Sequence, residues 1–123
     1  QFKNLKNYGF VEDKNLLRQL FSAANLYLSF AKEEAFGKTL VESLMCNTPV
    51  VSYDNNSCKE IIDHKTNGYI VKDENYGIAI DWIRKYINKN EHQLNISNKK
   101  KFTLSEISSQ YIDLYSKILN KKI

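Results

Sequence analysis

Hydrophobic positions along this chain follow two spacings that alternate. Compact apolar runs at 26–30, 49–53 and 69–71 are short and continuous, which favours buried strands. Pro49 stands at the first position of its run, where a proline costs a strand little. The apolar segment Leu5–Val11 predicts a further short strand that enters a loop. The pattern therefore predicts three buried strands and one more near the start.

Between the strands, apolar residues recur at helical spacing. Asp13 can cap a first helix, Gly37 opens a second, and Ser57 caps a short third helix through Ile62. The apolar stripes of the first two helices are Leu16, Leu17, Leu20, Phe21 and Leu40, Val41, Leu44, Met45. Two more helices are predicted at 76–89 and 103–120, with an Asn/Lys-rich loop over 88–101.

Strands that alternate with helices predict an α/β fold, a Rossmann-like parallel sheet flanked by helices with right-handed crossovers. The 123 residues have room for one domain, and no repeat of fixed period divides them. The chain begins at Gln1 without a methionine, so we expect it to be a piece of a longer protein.

The composition says more about the possible binding partners than about the fold. The formal net charge is +4, and nearly all of the cations are lysine. Arginine is the usual residue for bidentate contacts with phosphates and base edges, so the lysine excess argues against nucleic acid as a partner. The charge still suits an anionic small molecule or an anionic membrane surface. A biased codon usage would explain it equally well.

Metal and membrane chemistry have little support in the sequence. Cys46 and Cys58 lie outside any CxxC or Cys/His cluster, so we expect free thiols and a cytoplasmic setting. His64 and His92 lack metal-ligand spacing, and no metal is expected. No apolar stretch approaches the roughly 18 residues of a membrane span, and the first residues have no signal-peptide pattern.

The segment with the most chemistry runs from Glu34 to Glu42. Gly37 makes a strand-to-helix turn between the two carboxylates, which places both near the mouth of the second helix. The backbone N–H groups of Gly37, Lys38 and Thr39 then point out of that helix end, where free donors and the helix dipole favour an anion. In parallel sheets ligands bind beyond the carboxyl ends of the strands, and this loop follows the first buried strand.

Glu42 lies among neighbours that face the core, so its carboxylate must be solvated or hydrogen-bonded. The hydroxyl groups of a ribose would serve well as partners. By spacing alone, Glu34 can equally be a surface acid and Glu42 a solvated helix residue. The residues themselves leave both interpretations open.

The same segment resembles the E-x7-E motif of the group 1 (family 4) glycosyltransferases, with Phe36-Gly37 inside the motif. Segments on both sides are similar to that family in the same order, and they are Tyr8–Val11, Leu44–Val51, Lys59–Ile62, Asn67–Val71 and the closing helix at 102–119. An isolated pair of glutamates would be weak support, whereas this ordered set covers nearly the whole chain.

The resemblance implies the C-terminal, donor-binding half of a retaining GT-B enzyme that uses a nucleotide-sugar donor and no metal or other cofactor. Glu34 would face the donor sugar near the anomeric centre and serve in catalysis. The residues that would bind the rest of the donor are Val11 at the nucleobase, the backbone amides of Gly37, Lys38 and Thr39 at the diphosphate, Glu42 at the ribose hydroxyls, and Phe36 within the motif. Helix-end donors would stabilise the leaving diphosphate.

The chain also departs from the family pattern. Asn47 stands where the family often has glycine, which a left-handed helix C-cap tolerates. The family's phosphate-binding Arg and Lys, its acceptor-binding N-terminal domain and the first two strand–helix units of its donor domain have no counterpart in these residues. We therefore expect a partial domain that does not complete a transfer by itself.

The resemblance further implies hexosyl transfer to a glycan or lipid-linked acceptor in bacterial surface polysaccharide synthesis, with peripheral contact at the inner membrane face. The closing helix combines an apolar stripe with nearby lysines. Without an acceptor-binding domain its apolar face would be exposed and favour self-association.

Three other functions stay open. The chain could be a nucleotide-sugar-binding module without transfer activity, half of a GT-B-like sugar-nucleotide epimerase, or a structural domain. The E-x7-E turn argues against the epimerase. A structural domain would show an exposed Glu42 and no cleft at the strand ends.

Overall fold

A parallel sheet of three strands lies at the centre of the protein in the computed structural model. The structure describes residues 3–55, 57–72, 75–88 and 96–120. The strands are β1 (Tyr27–Ser29), β2 (Val50–Tyr53) and β3 (Gly68–Val71), and they are ordered β1-β2-β3 in the sheet. Tyr27 is opposite Val50, and Val50 is opposite Gly68. The three predicted strands are confirmed, but only β2 and β3 are buried as predicted, since Leu28 of β1 is 47% exposed.

Helices separate the strands in the predicted α/β order. Their bounds are α1 (Lys14–Ala23), α2 (Lys38–Met45), α3 (Cys58–Ile61), α4 (Tyr76–Asn88) and α5 (Leu104–Asn120), with a 3₁₀ helix at Ser97–Phe102 before α5. Part of the predicted loop at 88–101 is therefore helical. The rest of it, residues 89–95, lies outside the described residues.

Two apolar clusters cover opposite faces of the sheet. Val50 of β2 packs with residues of α2 and α3, whereas its neighbour Val51 packs with Ala79 of α4. This alternation follows from the two-residue period of side chains along a strand. Because β2 and β3 are buried on both faces, their sequences are continuous apolar runs instead of alternating ones.

Gly68 lets β3 approach β2 closely. A Cβ atom at this position would lie 2.3 Å from the carbonyl oxygen of Val50, a distance that backbone atoms cannot accommodate. The glycine of the predicted Asn67–Gly68 turn is therefore also the first residue of the strand. Its lack of a side chain is a packing requirement of the sheet.

The helix caps confirm one prediction and correct another. Asp13 caps α1, since its Oδ1 accepts a hydrogen bond of 2.8 Å from the backbone N–H of Asn15. Ser57 occupies the N-cap position of α3, but its side chain makes no capping bond. Asn55 does so instead, because its Oδ1 accepts the N–H of Cys58 at 2.9 Å. An amide two residues further upstream replaces the predicted hydroxyl.

The predicted strand at Leu5–Val11 is wrong. Residues 5–11 have neither helix nor strand structure, and β1 pairs with β2 only within the described part of the chain. Leu5 and Phe10 are 76% and 89% exposed. A strand is stabilised by a neighbouring strand and a covered face, and this segment has neither.

The C-terminal segment joins the rest of the protein through the 3₁₀ helix. Phe102 packs against the cluster around Val50, and the Lys101 Nζ donates a hydrogen bond of 2.7 Å to the carbonyl of Glu60. No residue of α5 is buried. The apolar stripe predicted for this helix therefore faces outwards over its whole length.

Candidate functional site

A cleft lies between α1 and α2, and we call it the α1–α2 cleft. Its volume is about 720 Å³, within the range of small-molecule sites. One face of α1, one face of α2 and the loop before α1 line it, with Phe10, Val11, Glu12, Lys14, Leu17, Arg18, Phe21, Val41, Glu42, Met45 and Cys46. Apolar side chains from both helices face charged groups of both signs in the same space.

Buried hydroxyl groups fix the two helices at one end of this cleft. The Thr48 Oγ1 donates a short hydrogen bond to the carbonyl of Phe21, near the end of α1. The Ser43 Oγ, on α2, donates to the carbonyl of Thr48 at 2.9 Å. Both side chains are fully buried. Since Asn47 adopts the expected left-handed conformation (φ 64°), the chain reverses between α2 and Thr48.

The N-terminus of α2 provides free backbone donors, as predicted. Gly37 is its N-cap, with φ of +80°, and the N–H groups of Leu40 and Val41 both donate to the Gly37 carbonyl. No side chain caps this helix. The N–H groups of Lys38 and Thr39 therefore have no partner within the helix, which gives this end a partial positive charge.

A second cleft lies at the carboxyl ends of β1 and β2, and we call it the strand-end cleft. It has a volume of about 460 Å³ and is lined by Lys32, Glu33, Glu34, Ala35, Asp54 and Asn55. Its position agrees with the rule that ligands bind beyond the carboxyl ends of parallel strands. Five of its six side chains carry a charge or an amide, so it suits a polar ligand.

Asn55 holds the two loops of the strand-end cleft together. Its Nδ2 donates to the carbonyl of Ala31 at 3.1 Å, while its Oδ1 caps α3. Beside it, the carboxylate of Asp54 lies 2.7 Å from the Lys59 ammonium. This hydrogen bond raises the pKa of Lys59 above its ordinary value. Burial raises the pKa of the nearby Cys58 thiol, so this free cysteine stays protonated and unreactive.

The structure divides the predicted site residues between these places. Val11 and Glu42 line the same α1–α2 cleft, although they are 31 positions apart in the sequence. Glu34 lines the strand-end cleft. Lys38 and Thr39 are exposed at the start of α2. The predicted site residues thus lie in two separate clefts, with the start of α2 between Glu34 and Glu42 in the sequence.

Phe36 and Glu42 are both exposed, but only Glu42 lines a cleft. Phe36 is 46% exposed and lines neither of the two clefts. Glu42 is exposed, as expected for a structural domain, yet it lies in a cleft, as expected for a binding site. Exposure agrees with the requirement that its carboxylate be solvated.

Among the cleft residues that sequence reasoning missed, four could have been found from local patterns. Lys14 and Arg18 lie one helical turn apart on the face of α1 that carries Phe21, and that spacing could have placed them at the cleft. Asp54 and Asn55 follow β2 directly, so the strand-end rule could have found them. The charge and polarity of these residues can be read from the sequence, but the elements that they face across the clefts cannot.

Metal ligands and membrane helices are absent from the part of the chain that the structure describes. No group of three His, Cys, Asp or Glu side chains there is placed to hold a metal ion. His92 lies outside the described residues. None of the described helices combines the length and hydrophobicity that crossing a membrane requires.

A parallel sheet flanked by helices, with an uncapped helix end beyond its strands, is a Rossmann-like architecture. The family is shown by the sequence: residues 2–102 match the family described as Glycosyl transferases group 1. The chain therefore belongs to the group 1 glycosyl transferases. A comparison with curated proteins gives no significant match.

Solved structures show the same fold. The crystal structure of a GtfA/B complex matches 83% of this chain with a TM-score of 0.70 and 22% identity. Anabaena Alr3699/HepE in complex with UDP matches 80% of it with a TM-score of 0.64 and 22% identity. The chain spans 23% and 29% of the lengths of those two proteins.

Proposed function

We propose that this chain binds the nucleoside-diphosphate part of a sugar donor for a retaining glycosyl transfer. The observation that carries the proposal is the convergence of Val11 and Glu42 in the α1–α2 cleft, next to the uncapped start of α2. Family membership makes a sugar nucleotide the expected ligand. The UDP in the Alr3699/HepE structure supports the same class of ligand.

In this proposal the donor lies along α2. Its base and ribose occupy the α1–α2 cleft, with the ribose hydroxyls on the Glu42 carboxylate and the base beside Val11. The diphosphate lies on the N–H groups of Lys38 and Thr39, where the helix dipole attracts negative charge. The Lys38 side chain, exposed at this end, adds a cation. These donors stabilise the leaving diphosphate as the glycosidic bond breaks.

The sugar occupies the strand-end cleft, with Glu34 as the catalytic residue that faces its anomeric centre. A polar cleft suits a hexose, because its hydroxyl groups need both donors and acceptors. Asp54 and Asn55 supply these next to Glu34. The acceptor, a glycan or lipid-linked sugar of a bacterial surface polysaccharide, binds a domain outside these residues. We propose that the reaction takes place in the cytoplasm, at the inner membrane face.

A second candidate function is donor binding without transfer. One observation favours it, since the chain spans less than a third of the proteins that share its fold. An acceptor site is then supplied by another polypeptide segment. Incubation with UDP-glucose and GDP-mannose separates the two functions, because a module binds both nucleotides without releasing sugar.

The test of donor binding is calorimetric titration with UDP and GDP. We expect Glu42→Ala to weaken binding about tenfold or more, because a hydrogen bond to a charged group is worth roughly 1.5–3 kcal/mol. Glu106→Ala removes an exposed carboxylate of α5 far from the cleft in sequence and serves as the matched control. It should bind both nucleotides like the unaltered chain.

A double-mutant cycle with 2′-deoxy-UDP identifies the ribose as the partner of Glu42. Removing the 2′-hydroxyl should cost affinity in the unaltered chain and much less in Glu42→Ala. If both proteins lose the same amount of affinity when the 2′-hydroxyl is removed, Glu42 does not bind the ribose. If neither UDP nor GDP binds at millimolar concentration, the proposed donor site is absent.

A further inference from the structure

Arg18 is a cation of the α1–α2 cleft with no ionic partner among the described residues. It lies on the same face of α1 as Leu17 and Phe21, which line the apolar part of the cleft. Among the described residues its guanidinium makes no hydrogen bond or ion pair, whereas the other arginine, Arg84, lies 4.0 Å from the Asp81 carboxylate. Arginine carries five N–H donors and no acceptor, so a free one at a cleft is available to a ligand acceptor.

The position of Arg18 along the cleft indicates which part of a nucleotide it meets. The residues of α2 that line the cleft run from Val41 and Glu42 to Met45 and Cys46, away from the helix start. With the diphosphate at the helix start and the ribose at Glu42, the base lies in the remaining part of the cleft, which Val11 of the loop and Met45 of α2 line together. This placement rests on the proposed function.

The position of Arg18 along α1 leads to the same placement. The carbonyl of Phe21 accepts a hydrogen bond from Thr48, just beyond the end of α2. Arg18 precedes Phe21 by about one helical turn on the same face of α1, so it lines the cleft on the side of the last turn of α2. This is the part of the cleft that the proposed function gives to the base.

We propose that Arg18 is a specificity-determining residue that donates hydrogen bonds to a carbonyl oxygen of the nucleobase. Uracil and guanine present carbonyl acceptors where cytosine and adenine present amino donors. A donor-only guanidinium gains a hydrogen bond from the carbonyl and leaves an amino group unpaired. The cleft consequently selects uridine and guanosine diphosphate sugars over cytidine and adenosine ones. Leu17 and Phe21 supply the apolar surface against which the flat ring packs.

Glu12 is the cleft group that would favour the opposite choice. Its carboxylate accepts hydrogen bonds and would hold an amino group. It lies in the loop beside Val11, whereas the Arg18 guanidinium is on the α1 wall. Lys14 adds a second donor to that wall, so cations outnumber Glu12 on this side of the cleft.

The test compares UDP, GDP, CDP and ADP by calorimetry on the 123-residue chain and on Arg18→Ala, Arg18→Lys and Arg84→Ala. We expect UDP and GDP to bind the unaltered chain more tightly, and Arg18→Ala to weaken UDP about tenfold with little effect on CDP. Arg18→Lys should retain part of the preference. Arg84→Ala removes the same charge outside the cleft and should change nothing.

Several outcomes would overturn the inference. Tighter binding of CDP or ADP to the unaltered chain would assign base recognition to Glu12. An unchanged ratio of UDP to CDP affinity in Arg18→Ala would remove Arg18 from base recognition. Uridine binding can be followed by ligand-observed NMR. If Arg18→Ala lowers the affinity for UDP but not for uridine, the guanidinium contacts the phosphates instead of the base. If no nucleotide binds and Glu42→Ala changes nothing, the proposed function itself fails, which these other outcomes do not imply.

Discussion

Gly37 is the residue on which the geometry between the two clefts depends. Its φ of +80° lies in the left-handed region, which costs a residue with a side chain about 1–2 kcal/mol. A Cβ atom there would also lie 2.8 Å from Leu40 Cδ1 and 3.1 Å from its Cγ. The turn from the Glu34 loop into α2 therefore requires glycine for two independent reasons.

We expect Gly37→Ala to lower the free energy of unfolding by about 1–3 kcal/mol, through backbone strain and displacement of Leu40. Urea denaturation followed by circular dichroism measures the change. Gly77→Ala is the matched control, because the nearest atom to its added Cβ is the Asn75 Oδ1 at 3.6 Å and it lies within α4. An equal loss in both variants would mean that the left-handed turn is not the cause.

His64 links stability to pH at the loop before β3. Its Nδ1 accepts a hydrogen bond of 3.0 Å from the N–H of Ile70. Desolvation, with smaller contributions from the charges of Lys65 and Lys72, lowers the pKa of His64 below its ordinary value. The unfolded chain then binds the proton more tightly than the folded protein. The contribution of His64 is present above the ordinary pKa and is lost as pH falls through the lower, folded value.

The free energy of unfolding should therefore decrease as pH is lowered from neutrality to below about 6.5, the ordinary pKa of histidine. His64→Asn keeps a side-chain oxygen that can accept the Ile70 N–H but does not titrate. The difference in stability between the two proteins, measured by thermal denaturation at several pH values, should shrink as pH falls. A constant difference would show that protonation of His64 is not coupled to folding.

At the level of elements, the sequence predicted the structure wherever a local pattern is reinforced by burial. β2 and β3 are buried on both faces, and their apolar runs could belong to little else at that length. Whether a helix cap could be predicted depended on how far apart in the sequence the bonded residues are. Asp13 reaches its own helix two residues on, whereas Asn55 combines its cap with a bond to Ala31, 24 positions away. That second bond has no sequence pattern.

The segment 5–11 shows the opposite case. Its composition suits a strand as well as that of β1 does, but strand formation depends on a neighbour to pair with. The periodicity of a segment indicates its own preference for strand conformation, but it does not indicate whether another strand is present to pair with it. For the same reason the E-x7-E spacing predicted a binding turn at Gly37, yet it could not predict that Glu34 and Glu42 would line different clefts.

At the level of the whole molecule, the most exposed apolar surface belongs to α5. Leu104 is 81% exposed and Tyr111 is 56% exposed, and they share one face with Ile107, Leu114 and Ile118. A continuous apolar face of this kind on a helix is normally covered. Its described polar face carries Glu106, Asp113 and Lys117.

We expect the isolated chain to self-associate through this face, and Leu114→Glu to shift it towards the monomer in sedimentation velocity at micromolar concentration. Ser109→Glu places the same charge on the opposite, polar face and should leave the distribution unchanged. Because no residue of α5 is buried, neither substitution should lower the melting temperature of the monomer. Equal dissociation by both variants would indicate charge repulsion without a specific face.

The separation of the two clefts has a consequence for the order in which products would leave. In the proposed reaction the sugar departs with the acceptor, and the strand-end cleft loses its occupant. The nucleoside diphosphate keeps its contacts in the α1–α2 cleft and at the start of α2. It would then be the last species to dissociate, it would compete with the next donor molecule, and its release would limit turnover under saturating conditions.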